Sequence, residues 1–305
     1  AAVAGTLRAE ISADNTVFLL DYERDVDDPR NQVRAMLTWS GSLVGRAEFH
    51  DVFLEIYEMA GVPNLPACSS RSPICVAGSD FCLTGSVAKA SPVSGAALPI
   101  HLCWEAGGPT AGRYALATRW MTSEGAQLAS EHDVLLNARL EPTDAQSGGA
   151  FDTYHILPVP VGALPRPYDV EVGLFDTLDP SLSVIVAGDD GVGRPTITLE
   201  PVTPLASPWR ENSLYAVPER PQGPQLLIGE HLRIEGVTLD REEARPGEAL
   251  FVSTCWRVLR APEVSPEPVL NLYQADQLLT EVPLAIGVED LPVGRPACET
   301  TAVEV

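Results

Sequence analysis

The chain is short of positive charge. Twenty Lys and Arg residues stand against forty-two Asp and Glu, a net charge of −22 over 305 residues. A surface of that sign repels phosphate backbones and anionic lipid, which argues against nucleic acid as a partner. Lysine is almost missing: Lys89 is the sole one, and the other basic side chains are arginine. With the abundant Ala, Pro and Gly, that bias reads as a high-GC genome rather than as mechanism. No apolar run approaches the roughly 20 residues of a membrane-spanning helix, so no membrane span is expected. Catalytic signatures are missing as well. There is no Gly-x-Ser-x-Gly elbow, no phosphate-cradling glycine loop and no dinucleotide fingerprint. The five histidines, His50, His101, His132, His155 and His231, are scattered without metal-ligand spacing. The first residues, Ala1-Ala2-Val3-Ala4-Gly5, lack an initiator Met and the charge pattern of a signal peptide, as expected of a processed chain or of a numbering that starts partway along a longer one.

What is present is a repeated pattern. Gly95-Ala96-Ala97-Leu98, four residues, then Cys103-Trp104 recurs as Gly247-Glu248-Ala249-Leu250, four residues, then Cys255-Trp256. Repetition on this scale implies tandem copies of one unit. The surrounding segments alternate with period two and are punctuated by Pro, Gly and Asp, which suits antiparallel strands. Val17–Leu20, Gln32–Trp39, Asp51–Tyr57, Leu98–Trp104, Arg113–Met121, Phe151–Val159, Tyr168–Phe175 and Thr196–Val202 read as strands. No helix longer than about two turns is expected. The fold class is all-β, with tandem antiparallel β-sandwich units of Ig-like or jelly-roll-like form. The expected organisation is an N-terminal β-rich unit with a cysteine-rich loop over 1–85 and a complete sandwich over 86–203. A Pro-rich linker or strap follows over 204–228, then an incomplete sandwich over 229–305 that is short by about two strands. The N-terminal segment shares the front half of the pattern, from Leu7–Ile11 through Gln32–Trp39 to Ile56-Tyr57.

Six cysteines, Cys68, Cys75, Cys82, Cys103, Cys255 and Cys298, form an even set in a Pro-rich, β-rich chain. Secretion with up to three disulfides is the preferred reading. Cys255 with Cys298 would close a loop in the last unit, whereas the other four allow three pairings that the sequence leaves open. The seven-residue spacing of Cys68, Cys75 and Cys82 does not match the close pairs of zinc knuckles.

Other candidates are weighed by chemistry. Asp21, Glu23, Asp25, Asp27 and Asp28 form the densest acidic cluster, and carboxylates at alternate positions can converge on Ca²⁺. A solvated acidic loop is the simpler reading. Trp39, Trp104 and Trp256 sit in or at the end of apolar segments and are expected in the core. Trp120, Trp209 and Tyr215 are the aromatics expected to face solvent, where they would offer a glycan platform.

Arg245-Pro246-Gly247-Glu248, Leu250 and Cys255-Trp256-Arg257 resemble the "RPGE-x-L…W-R" opening of certain β-sandwich repeats. These are the extracytoplasmic repeats found at the ends of membrane glycosyltransferases and in surface proteins of filamentous Chloroflexota-type bacteria. Tyr168–Asp176 is similar to their later "Y-x-L-x-V-G-L-Y-D" strand. The resemblance spans about Val93–Pro201 and His231–Gln274 and rests on structural motifs. It implies an extracellular, non-catalytic sandwich. The leading expectation is a cell-surface structural protein, the self-assembling subunit of a filament or sheath joined by strand edges, with the chain itself as partner. The alternative is a secreted glycan-binding module, calcium-dependent if the acidic loop binds the ion. A hydrolase with an unmarked carboxylate pair ranks third.

Overall fold

A computed structural model describes residues 6–7, 9–12, 15–21, 31–49, 52–107, 114–134, 149–176, 179–188, 190–205, 226–241, 243–245, 247–261, 269–274, 276–284, 291 and 293–305. Antiparallel sheets dominate, as the period-two alternation implies.

The central unit is a two-sheet sandwich. Its first sheet runs β13-β12-β4-β5-β6-β9 and its second β11-β10-β7-β8, with β14 also on β10. The strands are β4 (Ser69–Val76), β5 (Phe81–Ala88), β6 (Ala97–Ala106), β7 (Tyr114–Met121), β8 (Gln127–Val134), β9 (Gly149–Pro158), β10 (Asp169–Asp176), β11 (Asp179–Ser183), β12 (Val186–Ala187), β13 (Gly193–Arg194) and β14 (Thr196–Thr198). Leu98, Ile100, Leu102 and Trp104, alternate residues of β6, meet Leu116, Trp120, Val170, Val172 and Leu174 of the other sheet. Fully burying each such side chain is worth about 1.5–3 kcal/mol. The boundary expected at 85 falls inside this sandwich. The cysteine-rich loop is the β4–β5 hairpin, and β5 pairs along β6.

The N-terminal unit is a three-stranded sheet, β1 (Thr16–Asp21), β3 (Val52–Met59) and β2 (Gly41–Phe49), in that order, with helix α1 (Gln32–Ser40) on one face. The strand expected at Gln32–Trp39 is therefore a helix, and its core marker Trp39 is half-buried. The physical reason is double coverage. Val33 and Leu37 of α1 pack on Leu19, Leu43 and Tyr57 of the N-terminal sheet. Ala35 packs with Ala97, Tyr154 and Ile156 on the outer face of the central sheet. A short helix apolar on two sides loses the one-sided stripe that marks helices in sequence. The strand expected near Leu7–Ile11 is also corrected, because Ile11 N–H donates to Leu7 O at 3.0 Å in a helical turn.

The C-terminal unit has the sheet β15-β16-β17-β20, made of β15 (Leu226–Ile228), β16 (Leu232–Leu239), β17 (Ala249–Val258) and β20 (Pro296–Glu304). A two-stranded hairpin, β18 (Val269–Gln274) and β19 (Gln277–Pro283), packs against it through Leu270, Leu272 and Val282. Among the described residues this second layer has fewer strands than either central sheet.

The repeat is visible in register. Leu83 faces Trp104 and Gly85 faces Cys103, so Thr84 is an extra residue between them. Ile234 faces Trp256 and Gly236 faces Cys255, with Glu235 extra. A third copy lies in the N-terminal sheet, where Leu43 faces Tyr57, Gly45 faces Ile56 and Val44 is extra. Each copy thus carries a β-bulge ending in glycine opposite its aromatic strand, a device that twists the strand and pins register. The third strand of each trio is β9, β20 and β1, respectively. In the N-terminal copy that strand precedes the other two in sequence, so the order is permuted.

Candidate functional site

Three disulfides brace the units. Cys68 joins Cys103, Cys75 joins Cys82 and Cys255 joins Cys298. The last two link residues directly opposite in register. The pairing left open by the sequence is thereby assigned, and the expected Cys255–Cys298 bridge is present.

Two joints hold the units together. Lys89, after β5, donates to Thr38 O at 2.9 Å and Gly41 O at 3.3 Å. It places a cation at the carbonyl end of α1, where the helix dipole favours one. Burial holds the Lys89 ammonium below the ordinary lysine value. The second joint is the loop after β9. Cys298 N–H donates to Gly162 O at 2.6 Å, Ala163 bridges to Cys298, and Leu164 packs beside Trp256 and Leu232. Gly162 has φ +82°, and a Cβ there would lie 2.6 Å from Cys298 Sγ. Arg166 adds an ion pair to the buried Glu299 at 3.3 Å.

Buried polar groups at the repeat positions are paired. Trp104 Nε1 donates to Thr153 Oγ1 at 2.8 Å and Trp256 Nε1 to Thr254 Oγ1 at 3.0 Å. Tyr57 occupies the matching place and donates to Glu55 Oε2 at 2.7 Å. Glu55 is fully buried and also accepts from Arg34 Nε at 3.0 Å and from its Nη2 at 2.5 Å. Burial opposes the Arg34 charge, but the Glu55 carboxylate outweighs it and raises the guanidinium above its ordinary value. Burial and the same carboxylate push the Tyr57 hydroxyl up, so it stays protonated and donates. In the C-terminal copy the bulge residue Glu235 pairs with Arg257 and Arg233. Burial acts to raise its value, yet the two arginines hold its carboxyl below the usual range. These clusters are closed structural networks.

The open surfaces lie elsewhere. The N-terminal sheet has two apolar faces, and among the described residues α1 covers one of them. On the other, Phe18 pairs with Ile56, and Leu20 with Leu54, which also pairs with Ala47. Phe18 is 63% exposed and Leu20 is 67% exposed. A strand apolar on both faces is the pattern of one covered on both sides. Among the described residues β1 also pairs on one side only, so its outer backbone groups form an edge. The C-terminal unit has a second such edge at β15, whose Leu226, Leu227 and Ile228 are all exposed. Val237 and Leu239 on β16, and Tyr273, Leu278 and Leu279 on the hairpin, are exposed as well.

The predicted residues fall as follows. Trp104 and Trp256 are core, the former stacked on Phe81 at 5.0 Å between ring centroids. Trp120, expected on the surface, is fully buried against Tyr168 and offers no glycan platform. Its alternation on β7 faces the opposing sheet, and the Arg119 beside it conceals that. Trp209 and Tyr215 lie outside the described residues. So do Glu23, Asp25, Asp27 and Asp28 of the acidic cluster, while Asp21 is the last residue of β1. Phe18 and Leu20 lie in an expected strand without being candidate site residues, and Leu226–Ile228 lie at the end of the expected Pro-rich strap rather than in an expected strand. Their signal was consecutive apolar residues in short strands, where alternation predicts polar ones.

No known family model matches this sequence, and no curated protein matches it. Among solved structures, the crystal structure of the C-terminal domain of wzt is similar at 11% identity. The alignment covers 47% of this chain and 83% of that one, with a TM-score of 0.32. The sheets themselves define the class: an all-β protein of antiparallel sandwich units.

Proposed function

We propose that this chain is a non-catalytic extracellular structural protein, the self-assembling subunit of a cell-surface filament or sheath. The observation that carries the reading is the pair of apolar strand edges exposed among the described residues, Phe18 and Leu20 on β1 and Leu226–Ile228 on β15. They belong to different sheets and differ in length and sequence, so a contact between them is head-to-tail. Such contacts propagate unless the rotation closes a ring. Three disulfides suit an oxidising compartment. Among the described residues no helix is long and apolar enough to cross a membrane. The resemblance of the Trp strands to extracytoplasmic surface repeats points the same way.

Light scattering and negative-stain electron microscopy test it. Fibres that form from dissociated protomers, and that are lost in a Phe18→Asp/Leu20→Asp variant which still folds, are the expected result. A homogeneous monomer across concentration and pH would overturn the reading.

A further inference from the structure

The outer face of the central sheet gathers a second kind of chemistry, independent of assembly. His101 and Cys103 are alternate residues of β6 and share the face opposite the sandwich core. Asp152 on β9 is the register partner of Cys103, and Tyr154 that of His101. Cys68 arrives from the segment joining the N-terminal unit to β4. It sits over Gly85, where a Cβ would lie 2.9 Å from the Cys68 Cβ. The bulge glycine of the repeat therefore makes the seat for Cys68.

His101 is oriented as a ligand. Its Nδ1 lies 2.8 Å from Pro66 O. A carbonyl only accepts, so Nδ1 carries the proton and Nε2 presents its lone pair. The ring is buried and stacks on Tyr154 at 4.5 Å, which fixes its plane. Nε2 lies 3.5 Å from Cys103 Sγ and 3.5 Å from Asp152 Oδ1. Ligand atoms of Cys68, His101 and Cys103 all lie within 4.8 Å of one another. A tetrahedral Zn²⁺ with Zn–S about 2.3 Å and Zn–N about 2.0 Å has N···S edges of about 3.5 Å and N···O edges of about 3.3 Å. The spacing around Nε2 is already that of a coordination sphere. The two sulfurs, now bonded, must separate, for which their Cα atoms at 6.3 Å leave room, and the half-exposed Asp152 carboxylate, which lies outside the close Cys68–His101–Cys103 group, must swing toward them.

We infer that opening the Cys68–Cys103 disulfide converts this face into a Zn²⁺ site, with Cys68, Cys103, His101 Nε2 and the Asp152 carboxylate as ligands. Two thiolates, an imidazole and a carboxylate are a donor set that suits Zn²⁺. The chemistry balances with a dithiol as reductant. One of its thiolates attacks a bridge sulfur and releases one cysteine, and its second thiol then attacks the reductant sulfur of the mixed disulfide and releases the other. The reductant leaves as its own disulfide, and Cys68 and Cys103 each gain a proton. Zn²⁺ then binds both sulfurs and releases those two protons. Bridge and metal are alternative clasps on the same joint, since either ties the incoming segment to β6. The other two disulfides lack this company: among the described residues no His, Asp or Glu completes such a cluster with them.

Co²⁺ is the probe, because sulfur-to-cobalt charge transfer and intensified d–d bands report tetrahedral thiolate ligation directly. The full chain is reduced with a dithiol, freed of it without oxygen, and titrated with Co²⁺ and then competing Zn²⁺. The expected result is one tetrahedral ion per reduced chain, displaced by Zn²⁺, and none in the oxidised chain. Cys68→Ala/Cys103→Ala keeps the other four cysteines and should lose the signal. Asp152→Asn alters a half-exposed side chain and should weaken binding about tenfold or more. His101→Gln should abolish the tetrahedral spectrum. The inference is overturned if the reduced chain gives no thiolate spectrum, or if the double cysteine variant gives the same one. Undiminished affinity in both Asp152→Asn and His101→Gln would also overturn it.

Discussion

The Arg34–Glu55 pair ties α1 to the N-terminal sheet, and its energetics follow from its burial. Glu55 is fully buried, and the Arg34 side chain is 12% exposed. At hydrogen-bond separation, and with an effective dielectric of about 20, two unit charges attract by about 5 kcal/mol. Desolvation of both groups consumes most of that, so the pair adds little net stability. Removing one partner is different, because the other is left as an uncompensated buried charge. Arg34→Met or Glu55→Leu alone should each destabilise the N-terminal unit by about 3–5 kcal/mol. The double variant removes both charges at similar volume. Its remaining loss is the acceptor of the Tyr57 hydroxyl, about 1 kcal/mol. The double variant should therefore be more stable than either single one, with a coupling of several kcal/mol. Native-state hydrogen exchange of the β3 amides is the assay, since it reads opening of this sheet separately from opening of the central core. Single variants that each cost under about 1 kcal/mol, or a double variant that costs the sum, would refute the reasoning.

Four other outcomes test the joints and braces. Lys89→Met removes both bonds to the carbonyl end of α1 and should cost about 1–3 kcal/mol of docking, seen as faster exchange in α1 with the central core unchanged. Gly162→Ala places a Cβ against Cys298 at a left-handed backbone position and should cost about 1–3 kcal/mol, read by thermal melting of the C-terminal unit. Glu235 has a depressed folded-state value, so its contribution is complete above the unfolded glutamate value of about 4.3 and is lost as pH falls through the folded one. The C-terminal unit should weaken in acid, and Glu235→Gln should flatten that dependence. The bridges should rank by loop length: a separation of 43 residues makes Cys255–Cys298 worth about 4 kcal/mol, against about 2.4 for the 7 of Cys75–Cys82. Equal melting temperatures for the two double-alanine variants would contradict that order.

The sandwich class was legible because its signals are local. Alternation along Leu98–Trp104 placed β6, and the repeated Cys255-Trp256 pattern placed its counterpart β17; each strand runs ten residues. The Cys255–Cys298 bridge followed from two lone cysteines in one unit. Other features needed partners that sequence does not order. Trp120 is expected at the surface as a glycan platform, yet the facing sheet decides its burial. The helix α1 was hidden because two sheets bury it from opposite sides. The ligand set at His101 was invisible for a similar reason: Cys68, Cys103 and Asp152 meet only through the β6–β9 register and the Gly85 bulge.

The three bulges explain why the repeat reads as two copies. In the central and C-terminal units the aromatic packs beneath a second β layer, and tryptophan fills that space with its Nε1 held by a threonine. In the N-terminal unit the covering layer is α1, which brings Arg34 and Thr38 toward the same position. A hydroxyl that donates to Glu55 is needed there, so tyrosine stands where the others have tryptophan. The disulfide position is freed as well: Ile56 replaces the cysteine, and its neighbour Phe18 on the permuted strand is left outward. The change of covering layer thus removes the sequence signature, while the other face of the same sheet carries the exposed Phe18 and Leu20. If that surface is the assembly contact, restoring a polar face at Phe18 and Leu20 should leave the Arg34–Glu55–Tyr57 network intact while abolishing association.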